Sequence, residues 1–296
     1  MYQKLLNWKC VVEDKLSDGS KLRKNQLKSL VKLFNWLGNE LEGRNCDQSL
    51  LNRVNESLSK CNYGLEMKGL HGAVNLSFLF YTMVDAASVL PDEKFLESRK
   101  EFVRQLHSVR DRVDYLLVCD LEMTCDEGVN HFPSETLDVG MVVLDARTLE
   151  QVDRYESLVK PVVRPLLSKF CESLTGVTQE MVDNEREYPE VAQELQNFLK
   201  PYTNARFVQW GKADSKQLKK DDERCGLEST LCGVEPFNLK DAFTNFKCSK
   251  VDYSLNKAMS VLGFERYGMA HRAYSDAVDT SLVARYLFEH VEMELA

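Results

Sequence analysis

The pattern of apolar residues changes near residue 112, and this change most limits the folds open to the chain. Up to that point apolar residues recur at the i, i+3, i+4 spacing of helix faces, without strand-like alternation. The clearest of these faces comprises Leu27, Leu30, Val31, Phe34 and Leu37. Beyond that point short β-rich runs alternate with helical segments, beginning with the apolar run YLLVC. We therefore predict a mostly α-helical domain at 1–112 and an α/β domain with a mixed sheet flanked by helices at 113–296.

Individual elements of both domains follow from the same patterns. Four runs have the length and apolar content of strands, namely 115–119, 137–144, 155–163 and 206–210. Helical spacing predicts helices at 48–60, 71–89, 92–113, 188–199, 215–224, 239–246, 254–262 and 275–290. Ser275 is the predicted N-cap of the last of these helices.

Charge divides the chain at the same place. Residues 1–112 carry 18 Lys and Arg against 14 Asp and Glu, and 113–296 carry 20 against 32, so balances of +4 and −12 give the net charge of −8. The nine cysteines are odd in number and never spaced C-x-x-C, which favours reduced thiols over a disulfide framework or a zinc site. The apolar run at 76–90 is too short to span a membrane, and the first residues lack a secretory leader pattern. We expect a cytoplasmic protein that begins near Met1, with the nucleus as the alternative location.

Two acidic residues stand where the apolar run at 115–119 ends. Asp120 and Glu122 are two positions apart, so on an extended segment their side chains point to the same side and can converge on one hard cation. Strand ends of open α/β sheets are the usual location of such sites. The alternative is a solvated strand end, because a chain with 46 acidic residues contains such triplets by chance.

Two later segments supply further candidates. Asp214 follows the run at 206–210 and precedes a helical segment, where it could be either a functional carboxylate or a helix N-cap. Asp276 falls in the first turn of the last predicted helix, where an acidic residue also interacts favourably with the helix dipole. His271 lies in the preceding loop and could be a base beside a metal-bound carboxylate or a structural histidine.

The order of these residues resembles that of a known enzyme family. The pattern Asp120-x-Glu122, then Asp214, then His271-x-x-x-x-Asp276 is similar to that of the DEDDh superfamily of 3′–5′ exonucleases, which has an RNase H-like fold. Within it, the chain is most similar to the enhancer-of-RNAi and 3′ histone mRNA exonuclease group. The similarity extends to the sequences that flank these residues, namely DLEMTCDEG at 120–128, FCESLTGVTQEMVD at 170–183 and AHRAYSDA at 270–277.

The resemblance covers about 115–290 and leaves 1–112 unmatched. One departure is Ala213, which stands where the related group carries an aromatic residue just before the second-motif Asp. Trp210 lies nearby, so the identity of a base-stacking residue in this motif stays open. Arg272 stands where the other final motif of the superfamily has Tyr, which favours the histidine class.

The resemblance implies roles for particular residues. His271 would be the general base that deprotonates the attacking water. Leu121, Met123 and Thr124 would line a pocket for the terminal nucleotide, with ordinary packing after a strand as the alternative. The implied activity is two-metal hydrolysis at the 3′ end of RNA or single-stranded DNA. The implied ligands of two Mg²⁺ or Mn²⁺ ions are Asp120, Glu122, Asp214 and Asp276.

Two further hypotheses concern binding. One alternative to an enzyme is a catalytically weak RNase H-like module that binds structured RNA or a protein partner. The intact carboxylates argue against it, because like charges gathered without metal would destabilise the fold. In the helical domain, five basic residues occur between Gly19 and Asn39 without an acidic one. Lys24, Lys28 and Lys32 share one helix face, which could contact a nucleic-acid backbone or an acidic protein, or could be a solvated face.

Overall fold

The computed structural model describes residues 2–42, 48–66, 75–90, 93–128, 133–247 and 253–290. The helices before the first strand are α1 (Tyr2–Asp18), α2 (Lys24–Glu42), α3 (Gln48–Glu66), α4 (Leu76–Val89) and α5 (Glu93–Asp111). The strands are β1 (Tyr115–Met123), β2 (Thr136–Asp145), β3 (Gln151–Leu158), β4 (Ala205–Gln209) and β5 (Pro236–Asn238). The later helices are α6 (Lys169–Thr175), α7 (Gln179–Val182), α8 (Tyr188–Leu199), α9 (Ala213–Cys225), α10 (Leu239–Phe246), α11 (Leu255–Leu262) and α12 (Ala273–His290).

The chain divides into two compact units. Unit 1 comprises Met1–Phe102 with Thr244–Asp252, and unit 2 comprises Val103–Phe243 with Tyr253–Ala296. The division therefore falls inside α5 and inside α10. The domain extents expected from the sequence, 1–112 and 113–296, stay a prediction.

Unit 1 is built from helices that each bury an apolar face. α2 packs against α3, and α4 packs against both α1 and α3. Arg53 on α3 and Asp85 on α4 form an ion pair with Nη1 and Oδ2 2.5 Å apart. The predicted face of α2 is the buried one, with Val31 partly buried and four residues fully buried, Leu27, Leu30, Phe34 and Leu37.

Unit 2 is built around a five-stranded mixed sheet with the strand order β3-β2-β1-β4-β5. β2 is antiparallel to both β1 and β3, whereas β4 is parallel to both β1 and β5. The central strands form from nearly continuous apolar runs because their residues are buried on both faces of the sheet. The predicted α/β class and the helical segment before the sheet are confirmed.

Some boundaries differ from the predicted ones for local reasons. The third strand is Gln151–Leu158 rather than 155–163, because its first residues are exposed on an edge strand and include a single apolar residue, Val152. The last helix begins at Ala273, two residues earlier than predicted. The predicted helix starts at His71 and Asp92 lie outside the described residues. Of the helices in the described ranges, none has the length and apolar character needed to cross a membrane.

Candidate active site

The end of β1 carries the first two candidate residues. Asp120 and Glu122 pair with Gly140 and Asp138 of the antiparallel neighbour β2. Because side chains alternate along a strand, Asp120 and Glu122 lie on the same face. The side chain of Glu122 is only 12% exposed. The pair is therefore set into the sheet and is not a solvated strand end.

Asp214 lies in the first turn of α9, and its carboxylate contacts β1. Oδ1 of Asp214 accepts a hydrogen bond from the backbone N–H of Leu121 at 3.2 Å. The side chain is buried. The N-cap of α9 is Lys212, so the N-cap interpretation of Asp214 is wrong. The carboxylate is instead fixed beside the segment that carries the first acidic pair.

The start of α12 brings His271 and Asp276 to the same location. Nδ1 of His271 lies 3.9 Å from Oε1 of Glu122. Glu122, His271 and Asp276 each offer one ligand atom, and these atoms lie within 4.8 Å of one another. The backbone of His271 lowers the pKa of the Asp276 carboxyl, and His271 has a left-handed φ of +61°. The imidazole remains 48% exposed, so it is open to solvent at the rim of a buried acidic cluster.

Gly140 permits the close approach of α12 to the sheet. A Cβ at this position would lie 2.2 Å from both the carbonyl carbon of Ala273 and the backbone nitrogen of Tyr274. Since backbone cannot yield as a flexible side chain can, only glycine fits at this point of β2. Gly140 is the direct partner of Asp120 in the sheet, so the first turn of α12 lies next to that carboxylate.

Asp138 is a second residue that sequence reasoning missed. Its Oδ2 accepts hydrogen bonds from Nε of Arg272 at 2.9 Å and from the backbone N–H of Ala273 at 3.3 Å. This carboxylate from β2 therefore caps α12, which explains why Ser275 lies inside the first turn and is not the N-cap. An acidic residue inside the apolar run LDVGMVVL was the available signal.

Arg266 fixes the loop before α12 to the helix itself. Its Nη2 contacts Oδ1 of Asp276, and its Nε lies 2.5 Å from Oδ2 of the fully buried Asp279. Oδ1 of Asp279 accepts the backbone N–H of Tyr267 at 2.8 Å. No sequence pattern marks Arg266, because its partners are brought to it only by the fold.

The site gathers negative charge in buried surroundings. Burial raises the pKa of Asp120 well above its usual range, and repulsion from Asp214 and Glu122 raises it further. Burial, followed by repulsion from Asp276, raises the pKa of Glu122 to about 8. Burial also raises the pKa of Asp214 to about 6 and that of Asp276, the latter against the lowering effect of Arg266. Clustered oxygen donors whose charges repel fit a divalent cation, which would stabilise their ionised forms.

The three residues expected to line a nucleotide pocket differ in exposure. Leu121 is buried in the core of unit 2. Thr124 is also buried, and its Oγ1 accepts the backbone N–H of Glu135 at 2.9 Å. Met123 is partly exposed and is the one of the three with available side-chain surface. Their role in a pocket stays a prediction.

Comparison with known proteins relates this geometry to one family. The family model described as Exonuclease (RNase_T) matches residues 117–283. The chain is 25% identical to human 3'-5' exoribonuclease 1 over 212 residues, which cover 69% of this chain and 61% of that protein. It is 31% identical over 183 residues to the probable 3'-5' exonuclease KapD of Bacillus subtilis, covering 60% of this chain and 85% of that protein. The chain thus spans about three fifths of the length of the exoribonuclease 1 relatives.

Solved structures show the same likeness. The nuclease domain of 3'hExo, a DEDDh family member bound to rAMP, matches with a TM-score of 0.56 and 28% identity over 61% of this chain and 94% of that domain. A 3'-exonuclease solved with the stem-loop of histone mRNA matches with a TM-score of 0.56 and 27% identity over 61% of this chain and 84% of that one. The predicted resemblance and the RNase H-like fold are confirmed.

Proposed function

This chain belongs to the exonuclease family defined by the RNase_T model, and we propose that it removes nucleotides from the 3′ end of RNA by metal-dependent hydrolysis. The observation that carries the proposal is the cluster of Glu122, His271 and Asp276, whose ligand atoms lie within 4.8 Å of one another. Asp120 and Asp214 lie near enough to this cluster for the carboxylates to repel one another. The names of similar proteins support it, since the human relative is a 3'-5' exoribonuclease and the 3'hExo domain binds rAMP. Single-stranded DNA is the alternative substrate.

Four carboxylates would hold the cofactor. The DEDDh family generally uses divalent metals, and we propose two Mg²⁺ or Mn²⁺ ions because every donor in this cluster apart from the histidine is a carboxylate oxygen. When bound, such ions activate water and stabilise negative charge on the phosphate and the leaving oxygen. The residues that would hold them are Asp120, Glu122, Asp214 and Asp276.

His271 would move the proton. Its exposed imidazole lies 3.9 Å from Glu122 and belongs to the same cluster as Asp276. A neutral imidazole that is open to solvent can accept a proton from the attacking water and release it to solvent. The left-handed backbone at His271 keeps the ring at the rim of the site instead of inside α12.

The terminal nucleotide would be bound next to β1. We propose that the side chain of Met123 contacts it, because this residue is partly exposed directly after the acidic pair. Leu121 and Thr124 would act by holding the backbone of this segment, since both side chains are buried. Such a pocket would accept only a terminal 3′-hydroxyl, and hydrolysis would therefore begin at the 3′ end of the nucleic acid.

A time course with labelled strands tests the proposal. Single-stranded RNA and matched DNA, both labelled at the 5′ end, are incubated with Mg²⁺, Mn²⁺ or EDTA. The full chain is compared with the Asp120→Asn variant, which keeps the shape of the side chain and removes its charge. We expect a ladder that shortens from the 3′ end, requires metal, and is lost in the variant.

Other patterns would contradict the proposal. Internal cuts, or cleavage that persists in EDTA, would exclude a metal-dependent exonuclease. Absence of cleavage of either strand with any metal, together with retained RNA binding, would favour the binding module. Faster shortening of DNA than of RNA would support the proposed hydrolysis but would make single-stranded DNA, and not RNA, the preferred substrate.

A further inference from the structure

Exposed cations lie on the solvent side of α2 in unit 1 and on the segment directly before it. We define the basic face as Lys21, Arg23, Lys24, Lys28 and Lys32, all of which are exposed. The chain has no acidic residue from Gly19 to Asn39. On the opposite side of the same helix the apolar residues are buried in the core of unit 1. Because that side is fixed by packing, the basic face has a fixed orientation on its unit.

Charge on the basic face is not compensated locally. Among the described residues, none of its five cations lies within ion-pair distance of a carboxylate. Other exposed lysines differ, since Lys100 lies 2.8 Å from Glu97 and Lys219 lies 3.8 Å from Glu223. Like charges at i, i+4 destabilise a helix. The arrangement therefore lowers helix stability and is suited to meet an anion from outside the chain.

The spacing of the lysines forms a straight row. Lys24, Lys28 and Lys32 follow one another at four-residue intervals, and each interval is a rise of about 6 Å along the helix. Three ammonium groups thus span about 12 Å on one line. A row of positive charge on a rigid helix matches an extended polyanion better than it matches a single small anion.

We propose that the basic face binds the sugar-phosphate backbone of single-stranded RNA. The inference rests on the proposed function, which requires this chain to bind a polyanion although residues 113–296 carry a balance of −12. Residues 1–112 carry +4, so attraction of phosphates falls to the first part of the chain.

The proposed activity on RNA favours RNA over an acidic protein as the partner, and unit 1 also exposes aromatic side chains. Tyr63 on α3 and Tyr81 on α4 belong to the same unit and are 56% and 64% exposed. Proteins that bind single strands combine cationic surfaces with exposed rings on which bases stack. An acidic protein would match the cations but has no bases to stack on these rings.

Salt dependence of RNA binding tests the proposal directly. Binding of 5′-labelled oligouridylate is measured by fluorescence anisotropy in EDTA, so that no strand is cleaved. The variant Lys24→Gln, Lys28→Gln, Lys32→Gln is compared with a control, Lys100→Gln, Lys200→Gln, Lys219→Gln, which removes the same charge from exposed positions elsewhere. Each phosphate contact contributes about −0.7 to the slope of log K against log salt for a single strand.

The expected result is a change in slope confined to the first variant. Its slope should be shallower than that of the wild type by about 2, so the wild type loses about twentyfold more affinity than the variant between about 50 and about 200 mM salt. The control should keep the wild-type slope. Equal slopes for the wild type and the first variant would overturn the proposal, and so would an equal loss in the control.

Two further measurements separate the possible failures. Hydrolysis of the p-nitrophenyl ester of thymidine monophosphate, a small substrate, should be unchanged in the first variant. If the wild type hydrolyses neither this ester nor RNA, the proposed function fails while the salt slope still decides the role of the basic face. If the variant keeps RNA binding but loses binding of poly-L-glutamate, the partner is an acidic protein and the proposal is wrong.

Discussion

The two units of this chain differ in what they bury. In unit 1, the buried residues that the structure describes are almost all apolar, and Ser57, Thr82 and Lys247 are the polar exceptions. In unit 2, a set of carboxylates is buried as well, comprising Glu135, Asp138, Asp214, Asp221, Asp222, Asp276 and Asp279. Burial of charge costs free energy unless partners compensate it. Unit 2 thus buries many more carboxylates than unit 1, and the partners of each carboxylate decide whether it serves stability or chemistry.

Within unit 2 the buried carboxylates are themselves of two kinds. Asp222 accepts hydrogen bonds from Tyr188, from the Thr230 hydroxyl and from the Thr230 backbone N–H. Asp120 differs, because in the part of the chain that the structure describes no donor contacts its carboxylate. Asp222 therefore serves stability through its partners, and Asp120 lacks such partners.

The largest expected effect separates these two kinds of carboxylate. Asp120→Asn should lower the rate of RNA shortening by at least about a thousandfold, since a metal site is worth several kcal/mol of charge stabilisation. In metal-free buffer its free energy of unfolding should equal or exceed that of the wild type, because repulsion is relieved. Asp222→Asn is the matched control and should lose about 1–3 kcal/mol of stability. If the metal-free Asp120→Asn protein is less stable than the wild type, then Asp120 also stabilises the fold and does not differ from Asp222 in this respect.

The next effect concerns the one exposed member of the site. His271→Ala should lower turnover by about 10²–10⁴, the usual range for a general base. Metal affinity, measured by calorimetry, should change little because the four carboxylates remain. The pH–rate profile should lose its acidic limb, because no base remains to be protonated. Equal losses of metal affinity and turnover would instead make His271 a ligand.

A substitution in unit 1 should affect stability alone. Leu30 is fully buried, so Leu30→Ala should lower the stability of unit 1 by about 2–5 kcal/mol through lost transfer free energy and a cavity. Hydrolysis of the thymidine ester should be unchanged under conditions where the protein is folded. Fluorescence of Trp8 and Trp36 in a Trp210→Phe background reports unfolding of unit 1 by urea. A fall in ester turnover without unfolding would show that unit 1 also contributes to hydrolysis, contrary to this prediction.

The smallest effect is a pH dependence of stability in the metal-free protein. Because the pKa of Glu122 is raised to about 8, the folded protein keeps a proton that the unfolded chain releases near the usual value of 4.5. Stability from this group is therefore complete below about pH 4.5 and is lost as pH rises toward about 8, at a slope of at most about 1.4 kcal/mol per pH unit. Trp210 fluorescence in a Trp8→Phe, Trp36→Phe background follows unit 2. Glu122→Gln should flatten the curve, and an unchanged slope would contradict this cause.

Sequence patterns predicted the parts of the fold that burial controls. β1 and β2 are predicted because their apolar runs are covered on both faces, and α2 because its apolar face is repeated. β3 was misplaced because an edge strand needs no apolar residues at its start. β5 has only three residues, too few for any period to appear.

For the site, the sequence predicted residue types that recur in motifs and missed those that act through the fold. Asp120 and His271 lie in sequence motifs shared with the exonuclease family, and their roles stay predictions until turnover is measured. Asp138 caps α12 from a strand more than a hundred positions away, and Arg266 links two helix carboxylates. No sequence spacing predicts either contact, because both depend on how the fold brings distant residues together.

Gly140 has a consequence for how the chain can change over time. Any replacement would force its first side-chain atom into the backbone at the start of α12. A saturation library screened for nuclease activity should therefore reject substitutions at this position as strictly as at Asp120, although glycine offers no functional group. A relative that has lost the acidic residues, and with them the activity, should still retain this glycine, because the packing of α12 against β2 requires it.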